Sequence, residues 1–481
     1  MKTPSLHLKV ALIPVVFLVL LLAFNVFIYG DDALSGSNQF ILLVGAAVAS
    51  LIGFQHKVDY ETLLKKIGKN LKSVTGAILI LLFVGALAGT WLLSGIIPAM
   101  IYYGLQIIHP SVFLPACIVI CAIISLATGS SWTTSATVGI ALIGIGRAMD
   151  LPVGMVAGAV ISGAYFGDKL SPLSDTTNLS PAMAGGSLFT HIRYMTLTTL
   201  PSIIITFLVF VILGINQTSN GNVDTLSLIT AITDKFNISL WLFVVPLSVI
   251  LMIVKKAPPL VALFIGTLLG AVFALIFQTT LILELSGAEK LDYTNVYKTI
   301  MNAITVDTQI ETSNVLLNEL FSSGGMQGML GTIWLIICAM VFGGVMDAIG
   351  ALKSISNSLL KWATSIFRLF ASTVASCLAI NLTASDQYLS IVIPGKMFAK
   401  AYKDRDLAPE NLSRTLEDSG TVTSVLIPWN TCGAYQSGVL GVSVGEYFIY
   451  AIFNWISPIM TLIYAALSIK IKMIIASKVE Y

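Results

Sequence analysis

Runs of about twenty apolar residues recur along the whole chain, and about twenty is the number an α-helix needs to cross the hydrocarbon core of a bilayer. The first, "KVALIPVVFLVLLLAFNVFIYG", ends on Phe, Ile and Tyr and exceeds the ~7–15 apolar residues of a secretory signal, so it reads as a retained helix. Clear candidates lie near 9–29, 38–54, 74–98, 152–189, 194–214, 238–254, 258–278, 326–349, 415–445 and 446–470. Only 10% of the 481 residues are charged, against about 25% in soluble domains. The formal net charge of +2 is spread over short connections and marks no nucleic-acid face.

Two further stretches, about 111–147 and 370–395, carry polar interruptions at mid-length, "LATGSSWTTSAT" and "NLTASDQYLS". Each is either a broken spanning helix or a re-entrant hairpin that returns to its own side. Read as hairpins, they leave 21 of the 26 Lys and Arg on one side and four on the other, with Lys169 inside the membrane; read as spanning helices, they give 19 against 6. The positive-inside rule therefore favours hairpins and places both termini in the cytoplasm.

The oddities come in pairs. "TGSS" at 128–131 is answered by "TASD" at 383–386, and "VISGAYFGDKLSPLSDTTN" at 160–178 by "LEDSGTVTSVLIPWNTCG" at 416–433. The offsets are 255 from Thr128 to Thr383, 257 from Gly163 to Gly420 and 256 from Pro172 to Pro428. Five crossings per half, an odd number, invert one half relative to the other. The expected fold is an all-α polytopic membrane protein of two inverted-topology repeats, each about five transmembrane helices plus a re-entrant hairpin or broken helix. The first repeat covers 1–215, with its hairpin near 111–147 and an unwound helix near 152–189, and an external linker spans 216–237. The second covers 238–481, with an external loop near 279–325, a hairpin near 370–395 and an unwound helix near 415–445.

Pro172 removes a backbone donor and disfavours helix at Ser171, so the segment should unwind partway across the membrane. The exposed carbonyls, the Asp168 and Asp175 carboxylates and the hydroxyls of Ser171, Ser174, Thr176 and Thr177 make an all-oxygen environment suited to sodium. Asn178 either coordinates or holds a hairpin tip. The second half supplies Asp418, Thr421, Thr423, Asn430 and Thr431; the hairpin turns add Ser130, Ser131, Ser385 and Asp386. Asp168, Asp175, Asp386 and Asp418 are the candidate sodium ligands, with Lys169 as the partner that tunes them. Desolvation favours a protonated carboxyl and a nearby cation the ionised one, so protons and sodium would compete for the same oxygens.

These residues also have a structural use, since Ser174 and Asp175 would N-cap the helix after the break, and Asp168 and Lys169 would form a pair. An ionisable group at membrane depth costs about 2.5–3.5 kcal/mol, which favours function when three or more carboxylates recur. Glu417 is expected nearer the cytoplasmic mouth. Cys117, Cys121, Cys338, Cys377 and Cys432 read as buried thiols, and His7, His56, His109 and His191, at the edges of apolar runs, as solvated loop residues. Trp132, Tyr165, Tyr388, Trp429 and Tyr435 flank the interruptions, either as packing or as the lining of a cavity for an organic substrate. No phosphate-binding G-x-x-x-x-G-K-[ST] loop and no nucleophile constellation occurs, which disfavours an ATP-driven pump and an enzyme.

"SGAYFGDKLSPLSDTTNLSPAMAG", "FTHIRYM", "SDQYLSIVIPGKMF" and "LEDSGTVTSVLIPWNTCGAYQSGVLGV" resemble the NhaC family of sodium/proton antiporters over about residues 70–465. The resemblance implies a multi-pass protein of the cytoplasmic membrane that expels sodium against proton uptake, with Asp168, Asp175, Asp386 and Asp418 as its carboxylates. It also implies an alternative, since family members exchange malate for lactate or take up amino acids. The expected partners are lipid, sodium and protons, a small organic acid or amino acid in the alternative, and a second copy in a homodimer; no cofactor and no nucleic acid are expected.

Overall fold

The computed structural model describes residues 6–474 except 30–32, 34, 108 and 218–224. Part of the linker expected at 216–237 and the two chain ends therefore lie outside the described residues. Among those described, eight helices are long and apolar enough to cross a membrane: Leu8–Tyr29, Ser37–Gln55, Thr75–Leu93, Pro110–Thr128, Leu188–Asn216, Pro259–Phe277, Gly325–Ala348 and Ile366–Ala384. A ninth results when Leu226–Lys235 and Leu240–Val254, bent by 85° at their junction, count as one span. Exposed Leu20, Phe24, Phe27, Leu208 and Ile212 turn apolar faces outward, where only lipid is a favourable solvent. The protein is an all-α, multi-span membrane protein.

The count differs from the ten runs expected because local chemistry breaks some of them. The run at 152–189 splits into Val153–Leu170 and Asp175–Ala184, and the run at 446–470 keeps only Ile452–Ala466 as its longest helix. The segment 279–325 is no plain loop: it folds into Thr279–Ser286, Tyr293–Thr305 and Val315–Leu320 with a short antiparallel pairing of Thr308–Gln309 and Ser322–Ser323. Tyr293–Thr305 packs on Thr75–Leu93, because Gly89 presents no side chain toward the Ala303 carbonyl.

Helix ends repeat with a constant spacing. Pro110–Thr128 begins after the cap His109 and stops at Gly129, which is left-handed; Ile366–Ala384 begins after the cap Ser365 and stops at left-handed Ser385. Ser130 and Asp386 cap the helices that follow, Ser174 and Asn430 those after the proline breaks, and left-handed Gly185 and Gly441 close them. Each of these pairs is 256 positions apart, as are Pro172 and Pro428. The letter matches at 255 and 257 are thus each one residue out of register. Caps and left-handed turns have stringent backbone requirements, so they keep register where Ser, Thr and Gly identities drift.

Small residues bring Pro110–Thr128 onto the first broken helix. A side chain at Gly163 or Gly167 would run into the backbone carbonyl of Ile118 or Ala122, so Pro110–Thr128 and Val153–Leu170 touch along their backbones. Ser125 Oγ donates across this seam to the Ala164 carbonyl at 2.6 Å. The turn at Gly129 is thereby pressed against Leu173 and Ser174, at the break itself.

Candidate functional site

At the first break, Ser171 is extended at φ −81° and ψ 128°, and Ser174 restarts the helix by accepting from the Thr177 N–H. Asn178 donates its amide to the carbonyls of Pro172 at 2.9 Å and Ser174 at 2.7 Å, and Thr177 Oγ1 donates to the Lys169 carbonyl at 3.0 Å. These side chains bond the carbonyls that unwinding would leave orphaned. Thr177, Asn178 and Ser174 therefore hold the break open in one shape.

The turn meets the broken helix at Asp168. Ser131 donates to Asp168 Oδ2 through its N–H at 3.1 Å and its hydroxyl at 2.7 Å, while Ser130 caps the same turn through the Thr133 N–H. Asp168 is buried, and no Lys, Arg or His forms an ion pair with it among the described residues. Asp175, on the first turn after the break, is exposed, as is Asn178.

The positions equivalent to Ser131 and Asp168, 256 later, are Gln387 and Ser424. There the Ser424 hydroxyl donates to Gln387 Oε1 at 3.4 Å, the same turn-to-helix contact with no charge in it. The backbone repeats and the chemistry does not. The Gln387 oxygen also accepts from Cys432 Sγ at 2.9 Å.

In the second half Pro409–Leu416 widens into a π-turn at Glu417–Thr421, unwinds after Leu426, and resumes as Thr431–Leu440. Asn430 caps the resumed helix and donates to the Asn381 carbonyl at 3.1 Å; the Thr431 N–H donates to the Ser385 carbonyl at 2.9 Å. Thr423 Oγ1 accepts from Asn381 Nδ2 at 3.1 Å, and Thr421 is buried nearby in the chain. Asp386 is buried, with Oδ1 accepting the Leu389 N–H at 2.8 Å.

Two contacts join the broken segments to each other. Lys169 Nζ forms an ion pair with Asp418 Oδ1, both side chains wholly buried, and Asp418 Oδ2 accepts from Thr198 at 2.9 Å and from Thr461. Glu417 accepts from Thr176 Oγ1 at 2.9 Å and from Ser180 Oγ at 2.5 Å. Glu417 is therefore wholly buried against the segment that follows the first break. His191 is likewise buried, with Nδ1 at 2.8 Å from Ser413 Oγ, and is not a loop residue. The four candidate sodium ligands do not converge: among the described residues no three His, Cys, Asp or Glu side chains form a chelating group. Thr198, Thr461, Ser180 and Asn381 were missed because a single hydroxyl or amide in an apolar run carries no signal of what it faces. Trp132 and Tyr435, expected beside the interruptions, stack with ring centroids 4.1 Å apart.

A sequence profile described as the Na+/H+ antiporter family matches residues 163–469, which contain both breaks and the Lys169–Asp418 pair. The chain belongs to this family. A Na+/H+ antiporter, NhaC, from Alkalihalophilus pseudofirmus is 36% identical over 89% of this chain and 90% of its own length. A malate-2H+/Na+-lactate antiporter from Bacillus subtilis is also 36% identical, over 95% of this chain and 92% of its own. An arginine/ornithine antiporter from Halobacterium salinarum is 32% identical over 94% and 90%. Members of the Na+/H+ antiporter family with such names are transporters, and this chain stands with them and not with enzymes.

Proposed function

We propose that the protein exchanges sodium for protons across the cytoplasmic membrane by alternating access, with Asp168 as the group that the two cations share. One observation carries this reading. Asp168 is a buried carboxylate held by neutral donors alone, because Lys169, its neighbour in the chain, is engaged by Asp418. A buried charge without a counter-charge is costly, so Asp168 is neutralised either by a proton or by a cation from solution. Carbonyls at the break and the hydroxyls of Ser130, Ser131 and Ser174 supply further oxygens of the kind sodium takes. Exposed Asp175 stands at the mouth of this site, where its charge raises the local cation concentration.

Lys169–Asp418 and Glu417 act differently in this scheme. They tie one broken segment to the other, so that occupancy at Asp168 and movement of the second half are mechanically linked. The repeated caps and breaks support two halves of like fold meeting at mid-membrane, and the excess of Lys and Arg on one side supports cytoplasmic termini. Sodium-coupled carriage of an organic acid is the second reading, favoured by the likeness to the malate/lactate antiporter and by the uncharged equivalent of Asp168 in the second half.

The test uses purified protein in sealed liposomes with an internal pH dye and an imposed sodium gradient. Proton movement in plain buffer establishes exchange without an organic solute. A response that waits for malate, lactate or an amino acid establishes the second reading.

A further inference from the structure

Among the described residues Arg414 is the largest wholly buried side chain, and its Nε, Nη1 and Nη2 all lack a hydrogen-bond partner. Its guanidinium lies over Tyr194, 4.6 Å from the ring centroid, and 5.8 Å from that of Tyr464. Aromatic faces stabilise a cation but do not bond its N–H edge.

The acids nearest Arg414 in the chain hold other partners. Glu410, four residues before, pairs with Lys472 at 2.6 Å; Asp418, four residues after, pairs with Lys169; Glu417 takes the hydroxyls of Thr176 and Ser180. Among the described residues no acid forms an ion pair with Arg414, and the two aromatic faces are the partners of its charge. Beside it, the Ser413 hydroxyl contacts His191 Nδ1, and His191 Nε2, also buried, has no partner. Where Ser413 donates to Nδ1 at 2.8 Å rather than to the Glu410 carbonyl at 3.3 Å, Nε2 carries the hydrogen and is a second free donor. His191 and Tyr194 lie one turn apart on one helix and face Ser413 and Arg414 on another.

We propose that Arg414 and His191 form an anion site that takes the carboxylate of a small organic acid. The guanidinium edge offers two parallel N–H donors in the fork that a carboxylate matches, and His191 Nε2 offers a third. The tyrosines close the site in this conformation, so the anion enters when the helix bearing Tyr194 or Tyr464 moves aside and is then occluded. The proposal extends the second reading above by giving the organic acid a place in the protein, and it is separate from the cation chemistry at Asp168.

The experiment measures thermal unfolding of the detergent-purified full chain at fixed ionic strength while potassium malate, potassium lactate or potassium chloride is titrated, with sodium titrated separately. Wild type, Arg414→Gln, Arg414→Lys and His191→Gln are compared. Saturable stabilisation by a carboxylate, weakened about tenfold or more in Arg414→Gln and His191→Gln, with the sodium response kept in both, supports the site. No carboxylate response in wild type, or an equal one in the variants, overturns it. Chloride matching the carboxylates overturns the assignment to an organic acid. Should Arg414→Gln not fold, His191→Gln and Arg414→Lys decide. Loss of the sodium response in wild type would count against the exchange reading alone.

Discussion

Lys169 and Asp418, 249 positions apart, face each other as an ion pair that neither side chain shares with solvent. Removing one partner strands the other's charge in the interior, which typically costs about 3–5 kcal/mol, whereas replacing both with neutral groups is far milder. Lys169→Gln and Asp418→Asn should each lower thermal stability in detergent strongly. The double variant should recover much of the loss, and additive losses would show that the two do not act as a pair.

Asp168→Asn keeps an acceptor for Ser131 and removes the charge. Such a variant should fold with near wild-type stability and lose sodium-driven proton movement in liposomes. In wild type, competition requires the sodium concentration for half-maximal flux to rise as pH falls, by up to tenfold per unit once the shared carboxyl is protonated. A half-saturation that is flat with pH, or wild-type flux in Asp168→Asn, removes this residue from the role.

Asp175 is exposed where Asp168 is buried. Asp175→Asn should therefore raise the half-saturating sodium concentration while leaving maximal flux close to wild type, and the change should shrink at high ionic strength, as it does for a screened charge. Loss of maximal flux would instead make Asp175 a direct ligand.

Gly167 allows the backbone seam that carries the Gly129 turn to the break. A side chain there meets the backbone of Ala122 and Leu126, which cannot yield as a flexible chain end would. Gly167→Val should cost about 1–3 kcal/mol or more, seen as a lower unfolding temperature and poor recovery, while Gly68→Ala, with open space around it, should cost nothing measurable.

The apolar spans, the two polar interruptions and the breaks at Pro172 and Pro428 were legible in the sequence because they are local: apolar length makes a span, and these two prolines stand beside the capping residues Ser174 and Asn430, whereas Pro115, Pro201, Pro394 and Pro458 lie within unbroken helices. Asp168 stood out for the same reason, as a charge in an apolar run. His191 was misplaced because position along the chain near the edge of an apolar run does not say which way a side chain points. The 256-residue register was blurred by counting identities, since what repeats is the cap and the left-handed turn, with Ser130 answered by Asp386 and Gly129 by Ser385.

By itself the sequence determined that this is a helical membrane protein with charged, broken segments, since hydropathy and the chemistry of proline and capping residues act over a few residues. Only the tertiary structure decided that Lys169 belongs to Asp418 and leaves Asp168 without an ion pair, that Glu417 rests on Thr176 and Ser180, and that no acid among the described residues pairs with Arg414. Those outcomes depend on contacts between segments more than two hundred residues apart. Low dielectric makes them decisive, because a buried charge is governed by whichever group packing brings to it.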